Sequence, residues 1–352
     1  MRVAMLTLNV YTNYGNVIQK YALYRTLGRF ADFVEVLWHH TTVPFLPYKM
    51  ERDRWEEGNR KKTVFETVRQ FKNKAFSDAN IRTRFDIEYL EDIADDYDFF
   101  VVGSDQVWNP DFELPGRFLD FAPPEKRIAY AASITRPNLP KEVKKTYREK
   151  VLEMPHVSVR EKDGCDLLEK LTGKRPLQVL DPVFLLPADE WRKVSKKPAW
   201  LDNKIYENGY LLTYFFDGQP PQEVYALAKQ LGLPVVNLLD RNNFNHYANG
   251  VEEFLYLMSH ATIICTRSFH GTAFSMIFER PFIIYKVGTL LTTRFSRISS
   301  LLELFGLSDR VAEPDFTIKL DDPLKIDFSR FREVLPLERK KAFRFLANAF
   351  WE

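Results

Sequence analysis

The chain has 352 residues, of which 45% are hydrophobic and 28% charged, a composition that excludes a disordered polymer and describes a folded globular protein. Single cores stop growing near roughly 250–300 residues, so two domains are expected. A formal charge of +2 is nearly neutral and argues neither for nor against nucleic acid; no nucleic-acid partner is expected.

The opening run RVAMLTL at 2–8 is read as a strand, because its apolar stretch is too short before Asn9 and Asn13 for a signal peptide. Asn13, Gly15 and Asn16 then lead into a helix starting near Val17. Val17, Ile18, Tyr21, Leu23, Leu27 and Phe30 repeat there at helical spacing. FVEVLW at 33–38 is the next strand. Residues 44–84 break this rhythm as a basic helical insertion with a stripe of Phe65, Val68, Phe71 and Phe76. Such a segment suits either packing over the domain edge or lying on an anionic membrane surface.

Strands follow at 98–103 (DFFVVG), 127–133 (RIAYAAS), 156–160 (HVSVR) and 177–186 (LQVLDPVFLL). Strand, polar turn and helix in alternation predict a parallel α/β sheet, giving an N-terminal domain over 1–186. Residues 187–209, polar and proline-bearing, are read as a linker. A second series fills 210–335, with strands at 210–216, 234–239, 262–266 and 281–285 and helices between them. The helix over 336–352 is expected to pack back on the body. Two α/β halves joined by a linker imply a cleft between them for a ligand.

No apolar window reaches the ~20 residues of a membrane span. Cys165 and Cys265 lack metal-ligand spacing and read as buried, inert thiols of a reducing cytoplasm.

Four turns carry residues suited to chemistry. In the first, Asn13, Gly15 and Asn16 precede a helix whose N-terminal amides favour an anion. In the second, VVGSDQVWNP, Gly103 and Ser104 end a strand, Asp105 offers a carboxylate and Trp108 a face for a sugar ring. The bland alternative makes Asp105 a cap and Trp108 core. In the third, Arg160 ends a strand, to clamp an anion or to pair with Glu161 or Asp163. Asp181, before Pro182, reads as a turn residue. The fourth, TRSFHGT, sets Ser268, His270, Gly271 and Thr272 at a helix N-terminus, where phosphate binds and histidine exchanges protons near neutral pH.

NYGNVIQKYAL, VVGSDQVWNP, RIAYAASI, VSVREKDG, LDPVFLL, TRSFHGTAFSMIFERPF and TRFSRISSLLELFGLSDR, in this order, resemble the polysaccharide pyruvyl transferase family. The resemblance implies an α/β fold of two Rossmann-like domains facing a cleft in a glycosyltransferase-B-like arrangement, the first on the acceptor side and the second on the donor side. It implies transfer of a pyruvyl group from phosphoenolpyruvate to two hydroxyls of one sugar as a cyclic ketal, in capsule, exopolysaccharide or cell-wall synthesis. Phosphoenolpyruvate is a co-substrate, and no cofactor or metal is implied.

In that chemistry His270 transfers a proton beside the departing phosphate and Asp105 serves the sugar hydroxyl, while Arg160, Arg267, Ser268, Gly271 and Thr272 bind the donor. Asn13, Gly15, Asn16, Ser104 and Trp108 line the acceptor, and Arg294 and Arg297 add positive potential. Family members with arginine two residues before the histidine differ from this chain, which has Ser268 there and Arg267 one place earlier. The expected acceptor is a lipid-linked oligosaccharide, reached from the cytoplasm at the inner face of a membrane. Two alternatives stand beside this reading: a sugar-nucleotide glycosyltransferase of the same fold, and a non-catalytic glycan-binding protein.

Overall fold

A computed structural model describes residues 1–38, 64–85, 87–111, 114, 116–216, 219–286, 292–312 and 320–351, with backbone alone at 292–294. It separates into two compact units. The first takes Met1–Lys61, Ser77–Leu185 and Pro336–Glu352, the second Lys62–Phe76 and Leu186–Leu335.

In chain order the first unit holds β1 (Arg2–Leu6), α1 (Tyr14–Leu27) and β2 (Phe33–Leu37), then receives α2 (Val64–Asn80), most of which belongs to the second unit. It continues through β3 (Thr83–Arg84), β4 (Phe99–Val102), β5 (Arg127–Ala132), α3 (Lys141–Leu152), β6 (His156–Val159), α4 (Lys162–Thr172) and β7 (Leu177–Gln178). The seven strands form one parallel sheet ordered β3-β2-β1-β4-β5-β6-β7. β1, β4 and β5 are apolar almost throughout and nearly all buried, as strands covered on both faces must be. Ala131 has φ 48° where the β5–β6 register shifts between Ala129 and Ala132, a bulge that bends the end of β5.

The second unit holds α5 (Ala188–Lys193), β8 (Leu211–Tyr214), α6 (Gln222–Leu231), β9 (Val235–Asn237), α7 (Phe244–Tyr247), α8 (Val251–His260), β10 (Ile263–Thr266), α9 (Phe269–Ile277), β11 (Phe282–Ile284), α10 (Thr292–Phe305) and α11 (Ser329–Trp351). Its parallel sheet runs β11-β10-β8-β9. The last part of α11 returns to the first unit, and the division falls at Pro336, inside the helix, where the missing N–H breaks the hydrogen-bond ladder.

Two expectations are corrected. Residues 187–209 are no open linker: α5 lies there, and Trp191 on it is fully buried in the second unit, edge-on to Phe274 at 5.0 Å. An indole of that size adds more to a core than the flanking charges cost to place at the surface. The basic insertion is not a free amphipathic helix over its described part, and residues 44–63 lie outside the described residues. On α2, Arg69 is buried and donates to the carbonyls of Leu238 and Tyr247, while Asn73 accepts from the Val251 amide at 2.8 Å. The expected stripe is split accordingly: Phe76 is buried, Phe65 meets Phe244 edge-on at 5.0 Å, and Phe71 is 73% exposed. Among the described residues no helix is long and apolar enough to cross a membrane.

Candidate functional site

Each sheet has a switch point, where successive connections leave toward opposite edges, and ligands of α/β proteins bind beyond the carboxyl ends of such strands. In the first unit it lies between β1 and β4. Asn13 caps α1, its Oδ1 accepting from the Gly15 amide at 2.8 Å, so the helix begins at Tyr14, three residues earlier than expected. α1 is buried on nearly all sides, which carries the polar residues Asn16, Gln19 and Lys20 inward. Gly103 ends β4 with φ +144°, and a Cβ there would overlap the Tyr130 carbonyl oxygen, so only glycine fits. Asp105 follows at φ 59°, a backbone region that costs about 1–3 kcal/mol and is retained only where surrounding structure imposes it.

The side chain of Asp105 is the centre of a buried network. Its Oδ2 accepts from Asn16 Nδ2 at 2.7 Å and its Oδ1 from Arg160 at 3.0 Å. Arg160 also reaches Asp181 Oδ2 at 2.5 Å, and Asp181 Oδ1 accepts from the Val183 amide at 3.1 Å. Glu161 Oε1 gathers three donors: the Ser133 hydroxyl and the Ile134 and Thr135 amides, at 2.8 to 3.1 Å. Burial is the largest influence on Arg160 and favours its neutral form. The summed attraction of Asp105, Asp181 and Glu161 outweighs it and holds the guanidinium above its ordinary value. A further layer supports the turn, with Gln19 donating to Thr7 Oγ1 and receiving the Ser104 amide, and Lys20 reaching Asn9 Oδ1 at 3.2 Å.

This geometry revises three expected roles. Trp108 is no sugar platform: it is fully buried, donates to the Arg117 carbonyl at 2.8 Å and packs on Phe118. Burying that ring gains more than exposing it beside a turn would. Ser104 is equally buried, its hydroxyl donating to the Ala131 carbonyl at 2.8 Å. Arg160, expected to clamp the donor, holds Asp105 and Asp181 instead, because two carboxylates in its own unit satisfy its fork geometry. Asp181, read as a turn residue, is both turn and counter-ion.

In the second unit the switch point lies between β8 and β10. Thr266 closes the end of β10, its hydroxyl donating to the Tyr214 carbonyl at 2.7 Å and accepting from the Ser268 amide at 3.0 Å. Ser268 is the N-cap of α9: its Oγ accepts from Gly271 N at 3.2 Å, and its carbonyl accepts from Thr272 Oγ1 at 2.9 Å. Gly271 is confined because a Cβ would stand 2.6 Å from Thr266 Oγ1. Ser268, Gly271 and Thr272 thus build the turn with their own hydrogen bonds. Of the residues expected to bind the donor, Arg267 is the one that is not buried, although only partly exposed, its guanidinium 5.0 Å from the Phe215 ring centre.

His270 sits in the first turn of α9, 7% exposed and edge-on to Phe269 at 5.3 Å. Arg297 of α10 approaches the other partner of that contact, 5.9 Å from the Phe269 ring centre. The side chain of Arg294 lies outside the described residues. Two guanidinium groups and an imidazole therefore share one ring-lined end of the sheet, an arrangement that attracts a small polyanion and supplies a proton carrier. Cys265, on β10, is a spectator whose thiol burial pushes up to about 12, and burial likewise raises Cys165 to about 11. Among the described residues no three His, Cys, Asp or Glu side chains are grouped to hold a metal ion.

Sequence reasoning missed Asn9, Gln19, Lys20 and the role of Asp181. The available signal was Asn16, Gln19 and Lys20 in the first half of a helix whose neighbouring positions are largely apolar, polar groups at i, i+3 and i+4 that share one face.

This architecture is that of known two-domain α/β proteins. The chain is similar to Anabaena Alr3699/HepE in complex with UDP and glucose, at 10% identity and a TM-score of 0.50 over 99% of this chain and 96% of that one. It is also similar to UDP-GlcNAc 2-epimerase from Neisseria meningitidis bound to UDP-GlcNAc, at 12% identity and a TM-score of 0.48 over 99% of each chain. At such identities the likeness is one of fold: two Rossmann-like domains of the glycosyltransferase-B class. No curated protein matches the chain. The family model for polysaccharide pyruvyl transferase matches residues 13–288, a span that contains the second switch point and, of the first, α1 and β4 but not β1. The chain belongs to that family, and so to the pyruvyl transferases.

Proposed function

We propose that the protein transfers pyruvate from phosphoenolpyruvate to two hydroxyls of a sugar, closing a cyclic ketal. The observation that carries the reading is the end of β10, where Arg267 lies on the Phe215 ring, His270 is edge-on to Phe269, and Arg297 approaches that same Phe269 ring. A donor with a carboxylate and a phosphate needs cationic partners, and its reaction needs a proton at carbon.

His270 delivers a proton to the methylene carbon C3, and a sugar hydroxyl adds to the resulting electrophilic C2. The C2–O bond to phosphate then breaks with the phosphorus–oxygen bonds intact. The second hydroxyl adds to C2 and closes the ring. Of the two hydroxyl protons, one balances the proton placed on C3 and the other leaves on phosphate, so His270 ends as it began. Arg267 and Arg297 attract the donor's negative charge. Asp105 is assigned to the sugar hydroxyl: its carboxylate is 4% exposed with each oxygen already accepting once, from Asn16 and Arg160, so the hydroxyl has to reach a remaining lone pair at the turn.

The acceptor is proposed to be a lipid-linked oligosaccharide on the cytoplasmic side of a membrane, and the reaction needs no metal ion. The test is turnover of phosphoenolpyruvate carrying oxygen-18 in the C2–O–P bridge, with a lipid-linked saccharide as acceptor. Label recovered in inorganic phosphate, together with a ketal carbon in the product NMR spectrum, supports the mechanism. Label retained in the organic product contradicts it.

A further inference from the structure

The C-terminal part of α11 is packed on one side only. Ala342, Leu346, Ala349 and Phe350 are buried in the first unit, with Phe350 edge-on to Phe99 at 5.2 Å and against Phe30 at 5.6 Å. The opposite side repeats at spacings of three and four through Leu337, Lys340, Lys341, Arg344, Asn348 and Trp351, one face of a helix. Leu337 is 66% and Trp351 67% exposed. Between this face and the sheet-edge strand β7 lies an open groove of about 510 Å³, whose apolar lining is Leu177, Leu337 and Phe345 and whose rim is Lys340, Lys341 and Arg344. Glu338 pairs with Lys341. Lys340 and Arg344 are exposed and make no ion pair among the described residues.

We propose that this face docks on the surface of an anionic lipid bilayer, with the cations at the headgroups and Leu337, Phe345 and Trp351 at the acyl boundary. The combination of exposed apolar side chains with a one-sided basic rim is what an interfacial helix requires. A second copy fits less well, because a symmetric contact sets the same cations against one another. Nucleic acid satisfies the cations but leaves the apolar lining against water. The surface is separate from both switch points in sequence and strand order, and the inference does not rest on the donor or acceptor proposed above.

The experiment is flotation of the full chain with phosphatidylcholine vesicles, with and without phosphatidylglycerol, beside the double variant Lys340→Glu/Arg344→Glu. Wild type is expected to float with the phosphatidylglycerol vesicles and to be released by salt. Each cation near an anionic surface strengthens association about fivefold, so the reversal is expected to lower it at least ~25-fold. Indole emission is expected to shift to the blue on those vesicles, and Trp351→Phe to remove that shift.

If circular dichroism shows the reversal variant unfolded, Lys340→Gln/Arg344→Gln replaces it with the same prediction in reduced measure. Flotation unchanged by the variants, equal flotation with pure phosphatidylcholine, or binding without the Trp351 shift overturns the proposal. So does loss of self-association, in place of loss of flotation, when the rim is reversed.

Discussion

The two switch points place charge in opposite ways. In the first unit three carboxylates surround one guanidinium, and hydrogen bonds within the protein occupy Asp105, Arg160 and Asp181. In the second unit two guanidinium groups lie on aromatic rings, and a histidine is edge-on to one of them. A closed ionic network is rigid, since removing one member leaves the others buried and uncompensated. A ring-lined cationic end instead sets its positive charge against aromatic faces. The first arrangement suits orienting a neutral sugar, and the second suits holding a donor that carries its own negative charge.

Substitutions that break this contrast are expected to separate activity from stability. His270→Ala is expected to lower kcat by about 10²–10⁴ with the unfolding midpoint nearly unchanged, because it removes a proton carrier from an otherwise intact turn. Steady-state kinetics beside a denaturant melt reads both. A large loss of stability in that variant would make His270 a packing residue.

Arg160→Met should act in the reverse sense. It leaves Asp105 and Asp181 buried without their cation, at a cost of about 3–5 kcal/mol in denaturant unfolding. If stability is unchanged, the network is not the rigid element described here. Gly271→Ala sharpens the comparison at the turn: with Thr266 Oγ1 2.6 Å from the new carbon, about 1–3 kcal/mol is expected to be lost.

The smallest effect concerns Cys265. Its folded-state thiol titrates near 12 against about 8.5 when unfolded. The stability associated with keeping that proton is fully present below pH ~8.5 and is lost as pH rises toward 12. The native protein is accordingly expected to resist thiol-labelling reagents at pH 8, and rapid native labelling of Cys265 would contradict its burial.

Much of the fold was legible because parallel strands buried on both faces leave continuous apolar runs. β1, β2, β4, β5, β6, β8, β9, β10 and β11 each fall within such a run. β3, two residues long, fell inside the expected helical insertion, and the strand expected over 177–186 ends at Gln178, because Asp181 and Pro182 turn the chain into a helical turn over Pro182–Leu185. The segment at 187–209 misled because its charges are on the surface while a single indole, Trp191, carries the packing. At the site, periodicity located the turns, but it does not encode which side chains satisfy one another. Arg160 and Asp181 are 21 residues apart, and their pairing follows from neighbouring strands rather than local sequence. Trp108 and Ser104 carried the right chemistry for a ligand and were drawn into the core because the turn after β4 folds inward.

Phosphoenolpyruvate is the proposed donor, and Arg267 is proposed to hold it. Thermal-shift titration of wild type and Arg267→Ala with phosphoenolpyruvate tests it most directly, because a ligand that binds only the folded state raises the midpoint. A saturable rise in wild type that Arg267→Ala loses is expected. No rise with phosphoenolpyruvate, accompanied by a rise with a sugar nucleotide, would contradict it and point to glycosyl transfer.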